Sequence, residues 1–557
     1  MRSASIISYE VSVVDEPIAF QDGRSYAQIA IVEKFKGANK ISSQKLGVAD
    51  LEKVYSDINK NEELNLSNCY LKDFSLDTYR KLYGLSEGEL VNLHSLKADN
   101  AFFESDFGTS FAYSNFEGTS SSFAYSIFHK GKVNFGHAKC SSNLNFNRVE
   151  FYNEELSFKF AEFDKGDIRF SSCIFDCEDL LFVNTNFGEG NVSFRQTDFR
   201  ESNCNFQYAQ FNNGDVSFDK SIFAGQNLDF RKIEFGDGKA DFRRVNFGDG
   251  DINFSESEFG VGKISFRSSL FGTGEKKFEN VNFGANEISF EGAKFENGLL
   301  SFKGAIFGTL SFADSRLNGH CDFRIAKGNV LDLTDAIVKD VIDIQAGVEK
   351  VDLKTWKIEG LKNMGKLFLS WEENNAFQLI NSQTEISNFG KASQFNLLKE
   401  TFHQNGKYTS EDKAYVAFKR FEMLSELEEG IREGGLKAIR ARLYYGFKWL
   451  VFDKAGLFAT APLRVFTSML FVLCFFAILY IILPHFVHAE IVSSVGDPDG
   501  LNLVERSFYH SAITFFTIGY GDYYPSGHVR WLSAAEGWAG VFLMSYFTVA
   551  FVRRILR

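Results

Sequence analysis

The chain has 557 residues, 60 Lys/Arg against 72 Asp/Glu and a net charge of −12, which is length enough for several domains. Its seven Cys (Cys69, Cys140, Cys173, Cys177, Cys204, Cys321 and Cys474) are scattered, with no CxxC pair. This excludes a disulfide framework and fits reduced thiols in a cytosolic compartment. From Arg432 onward 12 Lys/Arg against 8 Asp/Glu leave +4, so the first 431 residues carry −16: an acidic N-terminal part precedes a mildly basic, apolar C-terminal part.

The first residues lack a basic start followed by an apolar run, so no cleaved signal peptide is expected. Residues 1–98 are expected to form an N-terminal cap with irregular first coils. From Phe111 the 63 Phe of the chain show their purpose: pairs five residues apart recur every twelve, as in Phe206/Phe211, Phe218/Phe223, Phe230/Phe235 and Phe242/Phe247. The register runs to Phe302/Phe307, 17 pairs in all, broken by one eleven-residue step before Phe146 and with Cys140 standing for one Phe. Two positions before most of these Phe lies a residue such as Ala209, Val216, Ser221 or Ile233, and a spacing of two puts both side chains on one face of a strand. Between pairs come Gly corners such as Gly248-Asp249-Gly250 and Gly260-Val261-Gly262, where Gly is expected to supply positive φ. Such a period implies a solenoid in which each unit buries its apolar face against its neighbours. A coil enclosing two pairs is four-sided and 24 residues long. Stacked at ~4.8 Å, the repeat makes a rod roughly 40 Å long.

This pattern, over residues 99–345, resembles pentapeptide-repeat proteins, which have Phe or Leu at a central inward position and a small or β-branched residue two positions earlier. The resemblance implies a right-handed quadrilateral β-helix, built here from 12-residue double repeats. It implies no function. Cys173, Cys204 and Cys321 each precede a Phe by two and read as small core residues.

Residues 346–385 read as the C-terminal end of the solenoid. Residues 391–403 and 411–429 read as two helices around Asn405-Gly406-Lys407, a hairpin linker over 386–431. Residues 432–462 mix Arg and Lys with Leu, Tyr, Phe and Trp449, as a helix lying in the inner membrane interface does.

Residues 465–483 are nineteen without a charge, and 531–552 are interrupted only by Glu536; each suffices to cross a bilayer core of ~30 Å. Lys437, Arg440, Arg442, Lys448, Lys454 and Arg464 precede the first span and Arg553, Arg554 and Arg557 follow the second, while Glu490, Asp497, Asp499 and Glu505 lie between. Both termini are therefore expected in the cytoplasm, with the pore domain over 463–557.

Between the spans a short helical stretch, 505–516, leads into Thr517-Ile518-Gly519-Tyr520-Gly521-Asp522. This resembles the pore helix and selectivity filter of two-helix potassium channels. A dehydrated K⁺ needs its water oxygens replaced, and the resemblance assigns that role to the carbonyls of Thr517, Ile518, Gly519 and Tyr520 with the Thr517 hydroxyl. Gly519 and Gly521 permit the backbone angles, Tyr520 braces the filter, and Asp522 anchors its outer mouth. One loop per chain requires four chains, hence a homotetramer. Phe516 stands where many such channels have Thr, and Ile513 where some have a carboxylate behind the filter. Glu536 is expected to pack behind the filter, through Tyr509 or His510, or else to lie at the outer interface. Gly540 matches the hinge glycine of such channels, with Gly537 as competitor. With Gly540 facing the pore, Met544, Thr548 and Val552 line the cavity and inner gate.

The expected function is passive K⁺ conduction across the plasma membrane. No catalysis is implied, and no resident cofactor beyond transported K⁺. No Arg-repeat voltage sensor is present, and the chain ends just after the second span, so regulation is expected from the solenoid side, through an unidentified cytosolic ligand or partner. A weakly selective cation channel is one alternative. Another is an acidic solenoid acting as an interaction or DNA-mimic module, although nucleic acid is not an expected partner.

Overall fold

Inward Phe at a fixed period leave the backbone one economical course, a coil that returns every 24 residues and stacks ring upon ring. The computed structural model describes residues 7–224, 227–345, 351–494, 496 and 500–556, and it divides into two units between Gln383 and Thr384.

The first unit is a β-solenoid of about 13 turns. Its strands pair in parallel with a 24-residue step, as in Val192↔Val216, Val216↔Ala240, Ala240↔Ile264 and Ile264↔Ile288. Rings one coil apart stack face to face: Phe218 and Phe242 lie 5.0 Å apart at 6°, and Phe230 and Phe254 4.6 Å apart at 13°. Rings half a coil apart meet edge to face, Phe230 and Phe242 at 6.3 Å and 78°. Each such Phe is fully buried, which stabilises the coil by about 1.5–3 kcal/mol per side chain, with about 0.5–1.5 kcal/mol more from each aromatic contact. The inward Ser and Thr satisfy the next carbonyl down the stack: Ser221 Oγ donates to Phe194 O (2.6 Å), Ser257 to Phe230 O (2.7 Å) and Thr197 to Phe170 O (2.6 Å). Cys173, Cys204 and Cys321 are buried as small core residues, Cys173 Sγ donating to Phe146 O at 2.9 Å in the same way, and all seven thiols are free.

The corners depart from expectation. Positive φ belongs to the short corner, every twelve residues, and non-glycine residues take it: Tyr208 (58°), Lys220 (62°), Lys232 (56°), Arg244 (57°) and Glu256 (60°). Each sits third in a tight turn closed by bonds such as Ala209 N to Phe206 O, 3.0 Å, the position that requires positive φ. Of the long-corner glycines singled out above, Gly248 is at 64°, but Gly250, Gly260 and Gly262 are not in that region. Space explains most of them. A Cβ on Gly214 would lie 1.9 Å from Gly190 O, on Gly238 2.0 Å from Gly214 O, and on Gly262 1.8 Å from Gly238 O. A glycine ladder lets successive coils close up.

Both ends are capped. Antiparallel strands Ile7–Val14, Ile29–Lys36 and Asn39–Val48 lead into the first coil, where Val48 pairs with Tyr70, accompanied by helices α1 (Leu51–Asn59) and α2 (Leu76–Tyr83). At the other end strands Asp352–Lys357 and Lys366–Phe368 complete the stack. Short helix α3 (Ala376–Asn381) follows. Asn374 Nδ2 donates to Ile344 O and Gln383 Nε2 to Trp356 O, both at 2.7 Å, so the last coil's carbonyls are not left as an open edge.

The second unit is helical: α4 (Asn388–Gln404), α5 (Tyr408–Glu433), α6 (Gly435–Lys448), α7 (Pro462–Ile482), α8 (Leu503–Phe515) and α9 (Val529–Ile555). Helices α4 and α5 pack as a hairpin, with Phe395 stacked on Phe421 at 5.4 Å. α7 and α9 are long and apolar enough to cross a membrane.

Candidate pore loop and its supports

Pro462, needing no N–H partner, opens α7. α8 begins with a capping box: Asn502 Oδ1 accepts from Glu505 N (3.0 Å) and Glu505 Oε2 from Asn502 N (2.9 Å). This cap starts the short helix at Leu503, two residues before the expected position. Its C-terminal carbonyls, the negative end of the helix dipole, are met by the loop itself, Thr517 N reaching Thr514 O (3.1 Å) and Ile518 N reaching Ile513 O (2.8 Å).

Thr517, Gly519 and Gly521 have φ of 55°, 63° and 78°, while Ile518 and Tyr520 between them are not in that region. The sign of φ therefore alternates along the loop. No atom lies within 4 Å of a Cβ built on Gly519 or Gly521, so here conformation demands glycine, the reverse of the solenoid ladder. Thr517, β-branched, holds its positive φ against steric preference, its hydroxyl donating to Phe516 O at 2.7 Å. Ile518 and Tyr520 are exposed in the single chain, and Phe516 is 40 % exposed with its ring edge-on to Phe515.

The loop is fastened at Asp522 on two sides. Tyr509 Oη donates to Asp522 Oδ2 at 2.8 Å, Ser494 N reaches Asp522 O at 2.8 Å, and strand Tyr523–Pro525 pairs with Ile491–Ser493. Asp497, Asp499 and Arg557, used above to orient the spans, lie outside the described residues.

Glu536 is fully buried rather than at an interface. Its partners differ from those expected: Tyr480 Oη on α7 donates to Glu536 Oε2 at 2.7 Å, and Ser511 on α8 bonds Oε1. Ser511 Oγ also donates to Leu473 O at 2.9 Å. Tyr509 turns to Asp522, and His510 to Ser533 Oγ at 3.1 Å. One carboxyl thus ties α7, α8 and α9 together. Sequence reasoning missed Tyr480 and Ser511; the available signal was a phenol inside an otherwise apolar span.

Gly540, expected as the hinge glycine, lies against the end of α8. A Cβ there would lie 2.0 Å from Phe515 O, so the glycine lets α9 cross the end of α8, whereas Gly537 has room for a methyl group. Met544, expected beside it, packs against Met469, Phe515 and Leu543; Thr548 and Val552 are exposed.

Two contacts join the preceding segments to the C-terminal half of α9, and a third ties α5 to the turn after α6. Arg553 donates to Asp412 Oδ1 at 3.0 Å, with its guanidinium 4.4 Å from the Tyr415 ring centroid. Arg420 forks onto Asp453 at 2.8 and 3.1 Å. Tyr546 Oη donates to Phe452 O (3.0 Å) and accepts from Ala459 N (2.9 Å). The turn it holds, Leu457, Phe458 and Ala459, has φ of 48°, 54° and 60°.

Comparison with known proteins agrees with this division. Residues 464–557 match an ion-channel family, and residues 278–325 match pentapeptide repeats in nine copies. Protein LctB of Bacillus caldotenax is 40 % identical over 67 residues, 12 % of this chain and 50 % of its own length. The chain therefore spans about half the length of that curated relative. No solved structure matches.

Proposed function

We propose that this ion-channel chain is one subunit of a potassium-selective homotetramer, conducting K⁺ passively across the plasma membrane with both termini in the cytoplasm. The observation that carries this reading is the alternation of φ at Thr517, Gly519 and Gly521, in a loop entered from α8 and placed between two apolar helices. Four such loops supply rings of carbonyls from Thr517, Ile518, Gly519 and Tyr520, and a ring of this kind replaces the hydration shell of K⁺. Asp522, held by Tyr509, fixes the outer mouth. Glu536 and Phe516 support the loop from behind, and Thr548 and Val552 lie toward the inner gate with Met544. Input from the solenoid reaches the gate through α5 and the turn that Tyr546 holds.

Reconstitution of the full chain in liposomes tests the reading. K⁺ flux well above Na⁺ flux is expected. Equal fluxes point to a weakly selective cation pore, and absence of flux to a membrane-tethered scaffold. The particle mass should be four times the 63.0 kDa of one chain.

A further inference from the structure

The short corners of the solenoid stack directly, one coil on the next, so their outward side chains form columns. Asn100, Tyr125, Arg148 and Ser172 make one such column, each at positive φ (56°, 62°, 59° and 58°) and joined by bonds such as Tyr125 N to Asn147 O at 3.0 Å and Arg148 N to Ser171 O at 2.9 Å. Beside it the N-terminal antiparallel strands pack on the coils, with Val32 and Leu46 in one cluster with Tyr70 and Phe102. Between the strands and the column lies a cavity of about 600 Å³, the size of sites that hold small molecules.

Three charged side chains line the cavity, Lys34, Arg148 and Glu150, and Glu150 is already engaged. It accepts from Tyr9 Oη at 2.8 Å, Tyr152 Oη at 2.9 Å and Lys34 Nζ at 2.6 Å. Against the upward pull of burial, Lys34 and the two phenols hold the Glu150 pKa below its ordinary value, so the carboxylate stays ionised and balances Lys34. The charge left over is the Arg148 guanidinium. Its carbon lies 5.3 Å from the Tyr125 ring centroid, a contact that orients the planar fork without using its N–H donors. Elsewhere on the solenoid guanidinium groups are met by carboxylates, as in Arg195 and Arg244 with Asp219 and Arg324 with Asp322. Among the described residues of the solenoid Arg148 and Arg316 have no such partner, and of these two Arg148 lines this cavity. The surrounding part of the chain carries −16, so an anion held here is held by these side chains and not by the general field.

We infer that this cavity binds a small organic phosphate monoester, its phosphate forked by Arg148 and its organic body lying against the N-terminal strands. Guanidinium and phosphate pair bidentately. A monoester brings nearly two negative charges at neutral pH, and Lys34, an ammonium with three N–H donors, lines the same cavity to meet the second; a carboxylate brings one. The organic body follows from size, since a bare phosphate fills only a fraction of the space. What remains is lined by groups that bond neutral hydroxyls or amides, Ser42 and Gln44 from the strands and Ser172 from the column, with Ile127 and Ile174 as an apolar wall. The inference gives a chemical class to the cytosolic ligand expected at the solenoid, and it stands whichever ion the pore conducts.

The test titrates the full-length protein in detergent, by calorimetry, with adenosine 5′-monophosphate and glucose 6-phosphate, and in parallel with adenosine, glucose, glucuronate and inorganic phosphate. At least one ester should bind about ten- to a hundred-fold more tightly than its unphosphorylated counterpart, and more tightly than inorganic phosphate. Arg148→Gln should remove that advantage, Arg148→Lys should restore only part of it because an ammonium cannot fork, and Arg316→Gln should leave it unchanged. Arg148 is exposed, so its variants should keep the thermal midpoint of the unaltered chain. Binding by neither ester, equal binding of inorganic phosphate or glucuronate, an affinity untouched by Arg148→Gln, or an equal loss in Arg316→Gln overturns the site. The comparison of ester with counterpart needs no variant, so it decides even where a substitution disturbs folding. Because no flux is measured, failure here leaves the ion-conduction reading to its own experiment.

Discussion

At Gly238 a single methyl group separates a stacked coil from a strained one, because the backbone oxygen of Gly214 already occupies its place. Gly238→Ala should lower stability by about 1–3 kcal/mol, as other overpacked sites do, read as a fall in the thermal midpoint of the strand signal in circular dichroism. Gly446→Ala, in α6 with open space around it, is the control that should be neutral or slightly stabilising. Lys276 sits at an inward position between Ile252 and Leu300 in the parallel ladder, its Nζ bonded to Asn297 O at 3.0 Å. Burial pushes the amine down from 10.5 to about 8. Between these values the unfolded chain binds the proton and the folded chain does not, so stability should rise with pH from about 8 to 10.5; below 8 the full destabilisation persists. Lys276→Leu should abolish that rise and stabilise the solenoid by about 3 kcal/mol at neutral pH. An unchanged pH profile in the variant sinks the argument. For Glu536, replacement by Ala removes the acceptor of the Tyr480 hydroxyl, at about 1–3 kcal/mol for a buried group left unpaired, while Ser511 Oγ keeps Leu473 O at 2.9 Å. The oligomer should dissociate at lower temperature on size-exclusion chromatography, and Glu536→Gln, which still accepts a hydrogen bond, should be milder.

Among the elements, those with a strict period were readable from the chain. The Phe pairs disclosed the coil because a ring every half turn has no other use, and the apolar runs disclosed α7 and α9. The caps were less visible. At the C-terminal end Asn374 and Gln383, which flank α3, bond carbonyls of the stack, and side-chain amides carry no periodic signal. Positive φ was expected at the Gly corners because turn chemistry favours Gly for it, yet Tyr208 and Lys232 in the short corners adopt it because the Phe on either side fix the corner. In the pore loop the motif was legible, while the partners of Glu536 were not, since residues 480, 511 and 536 meet only after three helices pack. Helix α5 leads to a prediction at this scale. The Arg553–Asp412 pair restrains the last turn of α9, with side chains 23 % and 28 % exposed. A partly screened pair of this kind contributes at most about 1 kcal/mol. Asp412→Asn should therefore raise K⁺ flux by up to about five-fold in liposomes, and unchanged flux would remove α5 from the gating route.

For the whole molecule, two kinds of stability coexist in one chain. The solenoid is held by many repeated neighbour contacts, the helical unit by a few specific ties. A truncation beginning at Arg432 separates their roles: it should still assemble and conduct, with altered flux because the α5 contacts to Arg553 and Asp453 are gone. Flux identical to that of the full chain would make the solenoid a scaffold without influence on the pore. The 24-residue register has a further consequence for how such a chain changes length. Coils of 23, 22 and 21 residues already sit in this stack, as in Ser121↔Leu144, Ile288↔Leu310 and Leu300↔Cys321, and Phe290 still stacks on Phe312 at 4.8 Å, so a corner can lose residues without displacing the Phe columns. The stack itself lengthens only by whole coils of about 4.8 Å each, and tandem duplication of complete coils is the mutational route by which it can grow.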